Sequence, residues 1–592
     1  MPAAPGSQLA PAFLGVAASV TGRRWVGPQD NDLRAAAALV QQAALSPPVA
    51  LVLARAGVHA DGVDDYLNPT LRNQMPDPSH LLDMDRATEV VLDHLDKGSR
   101  IAVFGDYDVD GAASAALLHE WFVALDVRPT LYIPDRIDEG YGPNDAAMQS
   151  LADRHELIIC VDCGTLSHQP IATAKARGAD VIVLDHHLGA ETLPAATAVV
   201  NPNRQDERSE FSYLCAAGVV FLLLVSLNRA RRTKGASEPS LIPMLDLVAL
   251  ATVADVAPLV GLNRALVKQG LAVMARRARP GLVALSDTAG LRSAPAAYHL
   301  GFLLGPRINA GGRVGQADLG TRLLTCNDPA EAAALAEKLD QLNTQRRAIE
   351  AEVQTEALAQ AEARSVEAPL VWAAGERWHP GVVGIVAARL KEAFNRPAVV
   401  IGLDGDEGKG SGRSISGVDL GAAVATCASE GHLVKGGGHR MAAGLTVRRG
   451  QIDTAMARLS DLLDRQGAGR SQSADLKIDG VLSAAAATPD LIEMLERAGP
   501  FGAAAPQPRF AFSRMRVRFA KRVGENHLSA TFDDGADRLS AIAFRAADGP
   551  LAPILNSTSG QLLHIAGKLE VDDWRGQRKA KLRVEDIAVV DN

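Results

Sequence analysis

"VFGDYDVDGAAS", residues 103–114, sets Asp106, Asp108 and Asp110 at alternate positions with Gly111 directly after them. Carboxylates this close repel one another, so something must hold them together. The spacing D-x-D-x-D-G also opens a calcium-binding EF-hand loop. That loop needs a bidentate Glu at its twelfth position, here Leu117, and a helix before it. The preceding "IAVF" (101–104) reads instead as a buried strand. The three carboxylates therefore lie in a loop leaving a strand, and Gly111 is expected to serve the tight turn into the next helix.

Further apolar runs follow the same rhythm. "TLYI" (130–133), "LIICV" (157–161), "VIVL" (181–184) and "AVV" (198–200) alternate with amphipathic stretches at 112–125, 144–154 and 168–177. That β-α-β alternation predicts a doubly wound parallel sheet, whose ligands bind at the carboxyl ends of the strands. Asp162 follows one such strand, Asp185, His186 and His187 follow another, and Asp255 ends the apolar helical run "MLDLVALATVADV". A single Asp after a strand is commonly a cap. Four acidic clusters converging on one sheet edge, with a His-His pair among them, point instead to metal ligation. Carboxylate oxygens with a minority of imidazole suit Mn²⁺ or Mg²⁺. The set is large enough for two ions, the usual clamp for phosphoryl hydrolysis.

The totals agree with a large globular chain. Its 592 residues imply two to four domains, and 47% hydrophobic with 22% charged residues is ordinary composition. A net charge of −8 points to no nucleic-acid partner, although placement of basic residues matters more than their sum. Five cysteines make no disulfide framework, and the lone C-x-x-C of Cys160 and Cys163 reads as structural. The N-terminal apolar run precedes Arg23 and Arg24, the wrong order for a secretory signal. "YLCAAGVVFLLLVSL" (213–227) is too short to span a bilayer and reads as a core helix. A cytoplasmic protein without membrane attachment is expected.

The chain is expected to divide into an N-terminal arm (1–50), an α/β domain with a helical part (51–326), a connector helix (327–364), a second, smaller α/β domain (365–470) and an all-β module of OB type (471–592). Asn327 or Asp328 can cap the connector, with Pro329 in its first turn. The second α/β domain reads as strand 370–374, helix 381–393, strand 398–402 and then glycine-rich turns. In the terminal module Arg514, Arg516 and Arg518 are spaced two apart, hence on one face of a strand, and Arg575, Arg578, Lys579, Lys581 and Arg583 stand near Trp574. A basic face with an aromatic is what a single-strand groove requires.

Taken in order, "DYDVDG", "VDCG", "LDHH", "TVADVAPL", "GPRINAGGR" (305–313), "WHPGVVGIVAARL" (378–390), "GSGRS" (410–414) and "GGGHRMAAG" (436–444) resemble the RecJ family of single-strand-specific exonucleases within the DHH phosphoesterase superfamily. The resemblance spans about residues 50–590. It implies 5′→3′ degradation of single-stranded DNA to mononucleotides, dependent on Mn²⁺ or Mg²⁺, in recombination and repair. Carried over, Asp106, Asp108 and Asp162 would hold one metal, and Asp110, Asp162, His186 and Asp255 the other, with Asp162 bridging. Asp185 would orient a histidine and His187 would stabilise charge on the scissile phosphate. Ser411 and Arg413 would cradle a 5′ phosphate, Arg136, Tyr141, Arg307 and Asn309 would contact the first nucleotides, and His439 would face the metals across the cleft. By family, a single-strand-binding protein and a helicase are expected partners of a monomeric enzyme.

Two positions depart from the family pattern. "GPFGAAAPQP" (499–508) lacks the usual Gly-Asn pair, and Arg377 in "ERWHPG" stands where glycine is common. Two other readings remain open: a DHH-type phosphodiesterase for oligoribonucleotides or cyclic dinucleotides, and a catalytically silent nucleic-acid-binding protein.

Overall fold

The apolar runs pair as expected. In the computed structural model, which describes residues 11–135, 139–364, 368–469, 475–557, 560–573 and 577–590, they form one five-stranded parallel sheet. Its order is Thr130–Tyr132, Ile101–Gly105, Leu157–Val161, Asp180–Leu184, Ala198–Val200. Helices cover both faces, which is why the central strands are continuous apolar runs rather than alternating ones. Gly105 pairs with Val161, Val161 with Leu184 and Leu184 with Val200. The strands thus end level, and the residues that follow them, Asp106, Asp162, Asp185 and Asn201, form a row at one edge.

The chain divides into two compact units, residues 75–471 and residues 1–74 together with 472–592. Within the first, helix Val109–Val123 follows the carboxylate loop, and the run at 213–227 lies in the buried helix Ala216–Thr233. Among the described residues no helix is long and apolar enough to cross a membrane. The connector is the 35-residue helix Pro329–Ala363, about 52 Å long. Asp328 caps it, accepting the Glu331 amide at 2.8 Å. Its C-terminal half, through Val353, Ala357 and Ala361, enters the core of a second five-stranded sheet.

That sheet corrects one expectation. The glycine-rich stretches are strands, Glu407–Arg413 and Lys435–His439, not turns. The alternating glycines explain it. A Cβ at Gly408, Gly410 or Gly412 would fall 2.6, 2.8 or 2.7 Å from Ile401, Leu445 or Leu420, so this face of the strand lies tight beneath core side chains. Composition suggested turns; packing demanded glycine at period two.

In the other unit, strand Phe510–Val523 pairs with both His527–Asp533 and Leu563–Asp572, closing a barrel with Arg538–Ala543 and Lys579–Val589. The N-terminal segment is built into it. Trp25–Val26 pairs in parallel with Leu476–Lys477, and Asp586, fully buried, accepts hydrogen bonds from Trp25 Nε1 and Thr21 Oγ1, each at 2.9 Å.

Candidate active site

Asp108 caps helix Val109–Val123, its Oδ1 accepting the Asp110 and Gly111 amides at 2.9 and 3.1 Å. Asp110, one residue into that helix, is buried against the start of Ala216–Thr233, accepting the Ala216 and Ala217 amides at 2.7 and 2.8 Å. Those amides and the helix dipole favour a carboxylate there. Gly111 departs from expectation: it lies inside the helix and serves no turn. A Cβ on it would fall 2.4 Å from the Asp106 carbonyl oxygen and 2.6 Å from its nitrogen, so glycine permits the strand end and the helix start to touch. Asp162 takes left-handed backbone, φ +61°, a conformation Asp tolerates better than most residues.

His186 joins the two sides of the site. Its Nε2 lies 3.2 Å from Asp162 Oδ1 and 3.7 Å from Asp110 Oδ2, and its Nδ1 lies 3.9 Å from Asp255 Oδ2. Three sets therefore place one donor atom from each member within 4.8 Å of one another: Asp106, Asp108 and Asp162; Asp110, His186 and Asp255; and Asp162, His186 and His187. Burial, reinforced by Asp110, Asp108, Asp106 and Asp255, pushes the Asp162 carboxyl well above its ordinary value. Burial also raises Asp110, and burial with Asp110 and Asp108 raises Asp255 to about 8. Buried carboxylates this crowded ionise together only beside a strong cation. Asp162 Oδ1 is buried and accepts no hydrogen bond among the described residues. An oxygen-rich donor set with one or two imidazoles fits Mn²⁺ or Mg²⁺ and does not fit a thiolate-seeking metal.

Asp185 is the exception among the buried acids. Burial raises it, but the His187 hydrogen bond and charge, with the Thr165 amide, outweigh burial and hold it well below the usual range. It accepts the Thr165, His186 and His187 amides at 3.0, 2.8 and 3.2 Å and His187 Nδ1 at 2.8 Å. His187 is raised to about 9, burial opposing and Asp185 prevailing, which favours the imidazolium form. The Tyr141 hydroxyl donates to the Asp162 carbonyl at 3.0 Å and lies 3.1 Å from the His187 ring.

Asn201 and Asn203, which sequence reasoning passed over, brace this segment: their amides donate to the His187 and His186 carbonyls at 2.8 and 2.6 Å. The rule that singled out Asp106, Asp162 and Asp185, a polar residue directly after a buried strand, also selects Asn201.

On the second sheet, Ser411 and Arg413 lie on strand Glu407–Arg413, and helix Pro380–Phe394 approaches them at Gly384, whose added Cβ would sit 3.0 Å from Arg413 Nη2. His439 shares this neighbourhood. Burial first, then the charges of Arg413 and His187, lower its pKa. Arg307 is held inward, bonding Asp340 at 2.8 Å and the Leu303 carbonyl at 2.7 Å. Asn309 Oδ1 accepts the Val109 amide at 3.1 Å, within the carboxylate loop. Arg136 lies outside the described residues, as do Trp574 and Arg575.

Three family models match the chain: the DHH family N-terminal domain over residues 100–252, the DHHA1 domain over 367–465 and the RecJ OB domain over 478–586. The single-stranded-DNA-specific exonuclease RecJ of Dickeya dadantii is 40% identical over 522 residues, 85% of this chain and 90% of that protein. The chain belongs to the RecJ family. The Escherichia coli exonuclease RecJ is 36% identical over 523 residues, again 85% of this chain and 90% of that protein. The crystal structure of RecJ from Thermus thermophilus in complex with Mn²⁺ superposes with a TM-score of 0.81 at 28% identity, covering 96% of this chain and 80% of that one.

In this RecJ-family chain Arg514, Arg516 and Arg518 alternate with buried Met515 and Val517 on strand Phe510–Val523 of the barrel matched by the RecJ OB domain. Arg514 has φ +55° at a register shift between Phe512 and Met515, and Arg518 is the extra residue at a second shift between Val517 and Phe519. Of the three only Arg516 stands opposite a ladder partner, Asp533, but the alternation with buried Met515 and Val517 keeps all three off the buried face. Arg518 is paired with Asp533, and Arg578 with Glu493 and Asp573. Phe544 is an aromatic that sequence reasoning missed, half exposed with Arg583 over its ring at 5.3 Å, and Phe519 beside Arg518 is exposed as well.

The two departures from the family pattern share one physical explanation. Arg377 has φ +58° and Ala504 φ +57°, left-handed positions where glycine is strain-free. The turn at Ala504 persists without Gly-Asn: Gly502 and Ala505 exchange both amide–carbonyl bonds, at 2.8 and 3.2 Å.

Proposed function

We propose that this chain hydrolyses single-stranded DNA from its 5′ end to mononucleotides, using two divalent ions, Mn²⁺ or Mg²⁺. The observation that carries the reading is the convergence of the three overlapping donor sets on one strand edge, with Asp162 common to two of them. Asp106, Asp108 and Asp162 hold one ion; Asp110, Asp162, His186 and Asp255 hold the other. When bound, the ions activate water and neutralise charge on the phosphodiester. Asp185 fixes the His187 ring and keeps it cationic, so it can donate to a phosphate oxygen as charge develops there. Ser411 and Arg413 offer a hydroxyl and a guanidinium to a terminal phosphate, and His439 completes that side of the cleft. Tyr141 and Arg136 contact the first nucleotides. Arg307 and Asn309 contact those nucleotides as well, Asn309 also holding the amide that begins the Asp108–Asp110 helix.

The relatives' names supply single-stranded DNA as the substrate class, and the barrel matched by the RecJ OB domain supports it. The chain works as a cytoplasmic monomer in recombination and repair, beside a helicase and a single-strand-binding protein. The decisive experiment gives the purified chain, with Mn²⁺ or Mg²⁺, single-stranded DNA labelled at either end. Release of mononucleotides from a free 5′ end, abolished by chelation and restored by Mn²⁺, is expected. Equal turnover of cyclic dinucleotides, or binding without hydrolysis, would overturn it.

A further inference from the structure

Arg279 is buried between two carboxylates. Its side chain is only 10% exposed, and its Nε and Nη2 bond Asp246 Oδ2 and Oδ1 at 2.9 and 3.0 Å. On the other side Nη1 bonds Glu120 Oε1, and Nη2 reaches Glu120 Oε2 at 3.3 Å. Nη1 also donates to the Leu324 carbonyl at 3.4 Å. Taking such charges out of water offsets most of their attraction, and well-packed apolar side chains often hold a core equally well. What a guanidinium fork adds is direction, because its planar bonds fix how the elements that carry its partners lie.

Those elements are the two helices that carry metal-type residues. Glu120 lies in the last turn of Val109–Val123, the helix that Asp108 caps and that holds Asp110. Asp246 lies in the first turn of Leu245–Ala254, the helix that ends at Asp255. At one end Asp110 and Asp255 share a donor set with His186, one atom from each within 4.8 Å of the others. At the opposite end Arg279 joins Glu120 to Asp246. The spans between the ends match: Asp110 to Glu120 is about 15 Å along one axis, and Asp246 to Asp255 about 14 Å along the other. The helices are therefore antiparallel and tied at both ends. Arg279 directly precedes a third helix, Pro280–Thr288, which anchors the tie outside the pair.

The metal end works against this arrangement, since the charges of Asp110 and Asp108 oppose that of Asp255. Helices this short move as rods within a close-packed interior, so a tilt at the Glu120–Asp246 end is transmitted to Asp110 and Asp255. We propose that Arg279 is a positioning residue for the metal centre: by holding Glu120 to Asp246 it sets the separation of the two helices and keeps Asp110 and Asp255 in one donor set. The inference rests on the reading of the site as a two-ion centre and adds to it a residue at the far end of both helices.

The test cuts the tie where the fold tolerates it. Glu120 keeps 27% of its side-chain surface in water and alanine suits a helix, so Glu120→Ala should fold, and it leaves the buried Arg279–Asp246 pair intact. Mn²⁺ binding to the full-length chain is measured by calorimetry, with Asp255→Asn and Asp106→Asn marking which binding event belongs to which donor set. Glu120→Ala should weaken the Asp255-dependent event about ten-fold, the worth of one hydrogen-bonded charge. The Asp106-dependent event should stay within about two-fold, as for an independent site. Asp246→Asn, which weakens the tie from the other helix, should single out the same event. Asp287→Ala, which cuts the exposed Arg277–Asp287 pair in the neighbouring helix, should move neither. If Glu120→Ala weakens both events alike, the role is merely structural and the proposal is overturned. Two unchanged events would overturn it too, as would an equal loss in Asp287→Ala. A wild-type chain that binds fewer than two Mn²⁺ ions would instead refute the two-ion reading, and the tie with it.

Discussion

Gly111→Ala tests the geometry of the site through a single methyl group. The added carbon would lie 2.4, 2.6 and 2.7 Å from the Asp106 carbonyl oxygen, nitrogen and carbonyl carbon, where ordinary contact begins at 3.4 Å. All three neighbours are backbone, so no side chain can swing aside, and strand end and helix start must separate by about 1 Å. That displacement carries Asp106 away from Asp108 and Asp162, with which it shares a 4.8 Å cluster. An error of about 1 Å in a reacting geometry costs on the order of 100-fold in rate. The readouts are turnover on 5′-phosphorylated single-stranded DNA and Mn²⁺ affinity by calorimetry, both expected to fall while helix content stays unchanged. Helix propensity alone argues the other way, because alanine in a helix interior is favoured over glycine by about 1 kcal/mol. A variant with wild-type turnover, wild-type Mn²⁺ affinity and a raised Tm would therefore refute the close-approach account.

Asp162→Ala should abolish hydrolysis while leaving DNA binding measurable in a gel-shift assay; retained nuclease activity would sink the assignment of Asp162 to both ions. Ala504→Gly should stabilise the chain by about 0.5–1 kcal/mol by relieving left-handed strain at φ +57°, read from denaturant midpoints, with an unchanged midpoint counting against that strain. Glu585 is lowered from its ordinary 4.5, burial opposing and Arg509 and Lys568 prevailing. Its stabilisation is therefore complete above pH 4.5 and lost as pH falls through the lowered value. Glu585→Gln should cost about 1 kcal/mol at pH 7, modest because both it and Arg509 keep 20% of their side-chain surface in water. It should also flatten the acid dependence of amide exchange in strand Lys579–Val589, and an unchanged profile would remove the ion pair from the account.

Much of this protein was legible before any coordinates. The strands announced themselves because burial on both faces leaves a run such as "LIICV" no polar position. The metal-type residues followed because the carboxyl edge of a parallel sheet is where chain direction and ligand chemistry coincide, and Asp106, Asp162 and Asp185 each come directly after such a run or within two residues of it. The connector could be read from Asp328 and Pro329 alone, since capping is a local interaction. Glycine was the recurrent source of error. By composition Gly111 and the alternating Gly408, Gly410 and Gly412 read as turn residues, but each is needed for the space its missing Cβ leaves beside another segment.

Composition, periodicity and capping, which depend on neighbours within a few positions, therefore sufficed for element types outside the glycine-rich strands and for the carboxylate row, and the ordered motifs for the resemblance that named the substrate. Contacts between distant positions were decided only in the folded chain. Trp25 meets Asp586 across nearly the whole sequence, Asp110 takes its partners from the amides of Ala216 and Ala217, and Arg307 turns inward to Asp340. The bulges beside Arg514 and Arg518 belong to the same class of contact. A bulge inserts one residue where the partner strand requires it, and nothing in the strand's own alternation records where that partner will lie.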